Sequence, residues 1–239
     1  MNNNEYQQPR REVNSQASGL SAFMSKVFGY MGGAVLISAI VAVLAGVVFQ
    51  QQYFSFIAAN RWFPIVLVVA EFGLVIGTSF KANRSAAAGL TMLFGFAAIN
   101  GLMLSSIFLQ YASATIFSAF FASAAIFGGM AFYGSTTHRD LTKIGTQAMF
   151  ALIGILIVSL INIFLRSSFI SFIFSFVIVA VFVVLTAWDT QRMRKIYEQY
   201  GNQISLCGLA VQGAFQVYLE FSNIFIYILQ IFGYGSNRN

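Results

Sequence analysis

Charge is what this sequence lacks most. Of its 239 residues only 8% are Asp, Glu, Lys or Arg, against about 25% in a soluble domain, so a water-facing surface cannot be built from it. Proline occurs twice. The single cysteine, Cys207, excludes an intramolecular disulfide and any multi-cysteine zinc site. The single histidine, His138, lies in an expected loop beside Arg139 and Asp140 and reads as a solvated loop residue. Neither a His-Glu-x-x-His pair nor a Gly-x-Ser-x-Gly elbow is present, so zinc hydrolysis and most nucleophilic hydrolysis drop out. All four lysines (26, 81, 143 and 195) sit at expected span ends, where a retinal Schiff base would not be placed. No cofactor is expected.

What is abundant is apolar. The chain is 58% hydrophobic, with 27 phenylalanines. It reads as a polytopic membrane protein with a single membrane domain and no length left for a soluble catalytic one. The net charge of +6 follows from basic residues placed as topology signals beside anionic lipid. No Lys/Arg cluster is interleaved with aromatics as a base-stacking platform would be, so nucleic acid is not an expected partner. The lipid bilayer is.

Residues 1–20 are polar, with Asn2-Asn3-Asn4 and Arg10-Arg11-Glu12, and read as a disordered cytoplasmic tail rather than a signal peptide. The membrane domain covers 21–239. At about 20 apolar residues per crossing, seven spans are expected, near 27–50, 62–80, 86–109, 112–133, 146–165, 169–190 and 208–233. The sixth is expected to continue as helix to Tyr197. With the N-terminus inside, ten basic residues fall on the cytoplasmic side and only Arg61, Arg166 and Arg238 outside, a strong positive-inside bias. This predicts a cytoplasmic N-terminus and an external C-terminus. Small-residue pairs at four-residue spacing in the fourth span, Ala124 with Gly128 and Ala125 with Gly129, mark a possible close helix approach.

Three of the seven acids, Glu71, Asp189 and Glu220, lie inside or at the edge of apolar stretches. A charged acid near the bilayer centre costs about 2.5–3.5 kcal/mol on insertion scales, so three left charged and unpaired cost on the order of 10 kcal/mol by the same scale. Their retention points to work with protons or cations. In the last span Gln212, Gln216, Glu220, Asn223, Tyr227 and Gln230 recur at spacings of 4, 4, 3, 4 and 3, one stripe of a 3.6-residue helix. Such a face cannot meet lipid, so the seventh helix is expected to be central. Two readings stand for the stripe: hydrogen-bonding glue between helices, or a functional face carrying an ionisable group at Glu220. Asp189 likewise has two: a helix-end acid paired with Arg192 one turn on, or a site residue. Glu71 has no basic residue within two turns, so it is protonated or meets another helix.

Ala187-Trp188-Asp189-Thr190-Gln191-Arg192, followed by Tyr218-Leu219-Glu220-Phe221-Ser222-Asn223-Ile224-Phe225, resembles the paired signature of the Bax inhibitor 1, or transmembrane Bax inhibitor motif, family. Phe23-Met24-Ser25-Lys26-Val27, Tyr133-Gly134-Ser135-Thr136-Thr137, Arg139-Asp140-Leu141-Thr142 and Ser159-Leu160-Ile161-Asn162-Ile163-Phe164 match it as well, so the resemblance covers nearly all of the chain beyond the tail. It implies an all-α membrane protein of seven transmembrane helices, two three-helix layers around a central C-terminal helix. It also implies a pH-sensitive calcium leak whose sensor is a carboxyl pair, carried over here to Asp189 and Glu220. Two positions depart from the family pattern. Glu220 stands where Asp is usual, and Gln230 where many members have Arg. Glu71, which matches an acid of the family's second helix, therefore lacks its expected basic partner, and a protonated Glu71 hydrogen-bonded to Gln230 is one solution.

Two carboxyls at hydrogen-bond distance in a low dielectric cannot both stay charged, so one proton is shared. The expected gate is closed while that proton joins helices six and seven, and opens as pH rises. Lys81 or Arg84 is the expected counter-charge in one state, with Gln216 and Asn223 as supporting residues of the stripe. The opened pair offers Ca²⁺ a weak, transient oxygen site. A different class of function is a non-transporting accessory protein that binds other membrane proteins, such as a membrane protease. An intramembrane aspartyl protease requires Asp189 and Glu220 as its dyad, and the expectation is that the chain is not an enzyme.

Overall fold

The computed structural model describes residues 8–81, 85–165, 168–200 and 206–236, with side chains described for 18–78, 85–159, 171–200 and 206–235. Among these residues the protein is helical, without a strand. Helix α1 runs Gln8–Val43 and continues through a π-helical turn, Leu44–Val48, closed by the Phe49 N–H on the Leu44 carbonyl at 2.7 Å. The others are α2 (Gln50–Ala59), α3 (Phe63–Lys81), α4 (Ala86–Leu104), α5 (Ile107–Gln110), α6 (Ser113–Thr136), α7 (Thr142–Leu165), α8 (Ser168–Tyr200) and α9 (Leu206–Ser236).

Six helices are long and apolar enough to cross a membrane, or seven if the bent pair α2–α3 is one span. That pair turns through 97° at Asn60-Arg61-Trp62. Asn60 ends α2 with its side-chain amide and its backbone N–H both donating to the Phe56 carbonyl, at 3.0 and 2.9 Å. Pro64 then falls in the first turn of α3, where its missing N–H costs nothing. The expected second span, 62–80, is helix α3, and the corner lies just before it. The N-terminal segment also differs from expectation. From Gln8 onward the residues assigned to a disordered tail extend α1, because Pro9 lies in its first turn and Arg10, Arg11 and Glu12 are good helix formers.

Helix α9 packs on α1, α4, α6 and α8, and the pairs α1–α4, α3–α4, α6–α8 and α7–α8 complete the bundle. Its apolar side carries the aromatic core. Phe215 meets Phe96 of α4 at 5.0 Å between ring centroids, and Phe221 meets Phe120 and Phe127 of α6, each at 5.7 Å. Other phenylalanines, such as Phe72, Phe121, Phe132 and Phe150, point outward, as lipid-facing side chains do.

The small-residue pairs of the fourth span do not mark a contact. A Cβ placed on Gly128 or Gly129 meets nothing within 4 Å. Close approach occurs at Gly101, where α4 crosses α1, and at Gly134, whose added Cβ would strike the Ala187 backbone of α8.

Candidate functional site

Asp189 projects from α8 and Glu220 from α9, and both are buried at 3% exposure. They share one cavity of about 500 Å³ with Gln212 and Gln216 of α9, Val75 and Thr78 of α3, and Met149 and Leu152 of α7. Gln216 is the exposed member of the α9 stripe, so the cavity opens beside it. Its side-chain amide donates to Asp189 Oδ2 at 2.8 Å.

Glu220 is placed differently. No N–H or O–H donor reaches either of its buried oxygens. The polar side chains acting on it are Asp189 and Thr186, and the Thr186 hydroxyl is already given to the Phe182 carbonyl at 2.8 Å. Asp189 does not form the close pair with Arg192 that the helix-end reading expects. Among the described residues Arg192 makes no ion pair with it, and the guanidinium lies over the Trp188 ring, 5.6 Å from its centroid.

The remaining candidates scatter. Glu71 does not meet Gln230. Its Oε1 accepts from the Asn100 side-chain amide of α4 at 3.2 Å, while Gln230 Oε1 accepts from Ser175 of α8 at 3.0 Å. The cause is the packing order: α3 lies on α4, whereas the end of α9 lies on α8. Asn223 turns its amide back to the Leu219 carbonyl of its own helix at 2.7 Å. Arg84 and the side chain of Lys81 lie outside the described residues. No group of three or more His, Cys, Asp or Glu side chains able to hold a metal occurs among the described residues. Asp189 and Glu220 alone do not make a tight cation site.

Three residues that sequence reasoning had not singled out complete a polar chain from Glu71. Asn100 accepts from the Tyr218 hydroxyl at 3.1 Å, and Tyr218 meets Ser38 Oγ of α1 at 2.6 Å. A lone Asn within an otherwise apolar span was the available signal for Asn100. Outside the membrane-spanning segments, α8 clasps the α6–α7 loop. Gln191 accepts from the Leu141 N–H at 3.0 Å and donates to the Arg139 carbonyl at 2.7 Å, and Arg194 donates to the Ser135 carbonyl at 2.6 Å. Lys195 pairs with Asp140 at 2.7 Å and, with the Thr142 hydroxyl, holds that carboxyl down at about 2.

Comparison with known proteins identifies the family of the chain. The family model described as "Inhibitor of apoptosis-promoting Bax1" matches residues 20–238. The chain belongs to the Bax inhibitor 1 family. Among similar members of the family, "Inner membrane protein YbhL" of Escherichia coli K12 is 39% identical over 219 residues, covering 90% of this chain and 93% of its own. "Uncharacterized protein YrjE" of Lactococcus lactis is 32% identical, covering 94% and 96%. "Uncharacterized protein RP147" of Rickettsia prowazekii is 34% identical, covering 90% of each chain. With its apolar helices, this makes the protein an integral membrane protein of the Bax inhibitor family.

Proposed function

We propose that the protein is a pH-sensitive cation leak of a bacterial plasma membrane, gated by Asp189 and Glu220. The observation that carries this reading is the buried Glu220 carboxyl, which receives no donor hydrogen and has Asp189 for its neighbour. Burying a polar group without a hydrogen bond costs on the order of 1–3 kcal/mol, and an unpaired charge costs more. One proton held between the two acids removes that cost. Whichever acid carries it becomes the donor that the other oxygen lacks, and the bond ties α8 to α9. Gln216 fixes the far oxygen of Asp189 and so orients the free one.

Loss of the proton reverses the sign of the interaction. Two unit charges about 4 Å apart repel by about 4 kcal/mol at an effective dielectric of about 20, which is a large share of the 5–15 kcal/mol that typically holds a domain together. Helices α8 and α9 separate at this point, and the cavity beside Gln216 extends between them. The leak is therefore closed at low pH and opens as pH rises. Calcium is the cargo best suited to the exposed oxygens, since a hard cation accepts carboxylate and amide oxygens as ligands. Two carboxyls suffice for passage and not for storage.

The placement in the bilayer follows the same reading. Helices α1, α3 and α4 form one layer and α6, α7 and α8 the other, with α9 between them, as the pairwise packing supports. The basic residues orient the N-terminus inward and the C-terminus outward. The name of the E. coli relative supports an inner-membrane location.

The test is Ca²⁺ entry into liposomes holding the purified protein, followed across a pH series. Flux is expected to rise with pH, and Asp189→Asn and Glu220→Gln are each expected to flatten the profile while the proteins still elute as monodisperse species. Unchanged profiles in both variants overturn the gate. Absence of flux at every pH overturns the leak in favour of an accessory protein acting on other membrane proteins.

A further inference from the structure

Glu71 is far more accessible than the acid pair, half-buried rather than enclosed, and it stands at one end of a continuous polar chain. The chain runs Glu71 (α3), Asn100 (α4), Tyr218 (α9), Ser38 (α1) and the Ala97 carbonyl (α4), with contacts of 3.2, 3.1, 2.6 and 2.8 Å. Tyr218 is fully buried and Ser38 nearly so. We infer that Glu71 is a second proton-binding site, and that its state sets the direction of every hydrogen bond from α3 through α9 to α1.

The number of available hydrogens couples the bonds to one another. Four contacts each need one proton. A protonated Glu71 gives its proton to the Asn100 amide oxygen, Asn100 Nδ2 to the Tyr218 oxygen, Tyr218 to Ser38, and Ser38 to the Ala97 carbonyl. All four contacts are filled. An ionised Glu71 can only accept. Asn100 must then turn its Nδ2 toward Glu71, the Tyr218 hydroxyl must donate to Asn100 Oδ1, and the Ser38 proton must go to Tyr218. Three protons serve four contacts, and the Ala97 carbonyl loses its serine. The amide oxygen and nitrogen of Asn are nearly the same size, so both orientations fit one site. As placed, Asn100 Nδ2 faces Glu71 Oε1 and the Tyr218 hydroxyl faces Asn100 Oδ1, the amide orientation of the ionised arrangement.

The chain is isolated from other titrating groups. Helix α4 carries no Asp, Glu, Lys, Arg or His, and α3 carries only Lys81 besides Glu71. On α1 the nearest is Tyr30. On α9 they are Glu220, two residues on and turned toward α8, and Tyr227. The Ser222 hydroxyl, one turn along α9, also approaches the Tyr218 phenol and adds a competing partner without adding charge. The Ser38 hydroxyl also lies 3.1 Å from the Ala34 carbonyl of its own helix; once its one proton goes to Tyr218, both the Ala97 and the Ala34 carbonyls lose it, and the bond between α1 and α4 is altered.

This site does not depend on the acid pair being a gate, and its test measures no flux. Infrared difference spectra of the purified protein in lipid nanodiscs, carrying ring-¹³C tyrosine, are recorded through a pH titration. Tyr218→Phe identifies the phenol band of that residue, and Glu71→Gln identifies the carboxyl band. In the wild type the Tyr218 band is expected to shift in one step, with the same midpoint as the Glu71 carboxyl. In Glu71→Gln, whose amide does not titrate, the Tyr218 band should stay at one position across the pH series. In Asn100→Leu the Glu71 carboxyl should still titrate while the Tyr218 band stays still. A Tyr218 band that ignores pH in the wild type, or that still titrates in Glu71→Gln, overturns the inference. That near-isosteric variant remains decisive even if Asn100→Leu fails to fold.

Discussion

At the scale of single residues, helix spacing in this protein is set by a few missing side chains. Gly101 of α4 lies against α1 so closely that an added Cβ would stand 2.6 Å from the Ser38 carbonyl oxygen and 2.9 Å from Val41 Cβ. The first of these is backbone and cannot swing aside. Gly101→Ala must therefore push α4 from α1, at a cost in the range of about 1–3 kcal/mol for overpacking, read as a lower thermal midpoint in mild detergent. Gly128→Ala is the control. Its Cβ meets nothing within 4 Å, and the better helix propensity of Ala, worth up to about 1 kcal/mol, should leave the midpoint unchanged or raise it. Equal losses in the two variants would remove the packing argument. Sequence spacing pointed to Gly128 and not to Gly101, because a four-residue interval between small residues says which side of a helix is smooth and not whether another helix lies there. The acids were legible for the opposite reason. A carboxyl in an apolar run is costly wherever its helix points, so Glu71, Asp189 and Glu220 stood out before any partner was known. Their partners were not legible: Glu71 took Asn100 rather than Gln230.

At the scale of elements, the polar stripe of α9 was readable from its spacing, since a fixed 3.6-residue period turns sequence interval into direction. What the interval cannot give is how far each stripe residue reaches. Gln216 crosses to Asp189 of α8, whereas Asn223 folds back on its own helix. The 97° corner between α2 and α3 was hidden for a similar reason. An apolar run measures length and carries no angle, and the interfacial Asn60-Arg61-Trp62 marked only where the crossing begins. The continuation of α8 to Tyr200 serves a purpose of its own, holding the α6–α7 loop through Gln191, Arg194 and Lys195. The Lys195–Asp140 pair is exposed, and Asp140 is held below its ordinary value of 3.8, at about 2. A depressed carboxyl stabilises the folded arrangement above its unfolded value and loses that contribution as pH falls through the folded one. The loop should therefore be tightest above about pH 4 and loosen toward pH 2. Amide hydrogen exchange at Thr142, whose N–H bonds to Asp140 Oδ1 at 3.3 Å, is expected to be faster in Asp140→Asn than in wild type at pH 5 and 6. The difference should narrow as pH falls toward 2. Equal rates in the two at pH 5 and 6 would assign the clasp to Gln191 and Arg194 alone.

At the scale of the whole molecule, orientation decides which side of the membrane the acid pair answers to. The cavity shared by Asp189, Gln216 and Glu220 lies toward the end of the bundle where α8 finishes and α9 begins. That end also carries the basic residues Arg139, Lys143, Arg192, Arg194 and Lys195. In the proposed orientation, with the positive end inward, the proposed gate would take its protons from the cytoplasm and would close when the cell interior acidifies. The opposite insertion would make the same chemistry respond to external pH and would place the basic cluster against the rule. Single-cysteine labelling separates the two. In a Cys207→Ser background, Gly235→Cys adds a thiol at the exposed end of α9 where a Cβ meets nothing within 4 Å, and His138→Cys adds one in the α6–α7 loop. A membrane-impermeant maleimide applied to intact cells is expected to label position 235 and to reach 138 only after permeabilisation. The reverse pattern would leave the acid pair in place and turn it to face the outside, so that the pH profile measured in right-side-out vesicles would follow the external rather than the internal buffer.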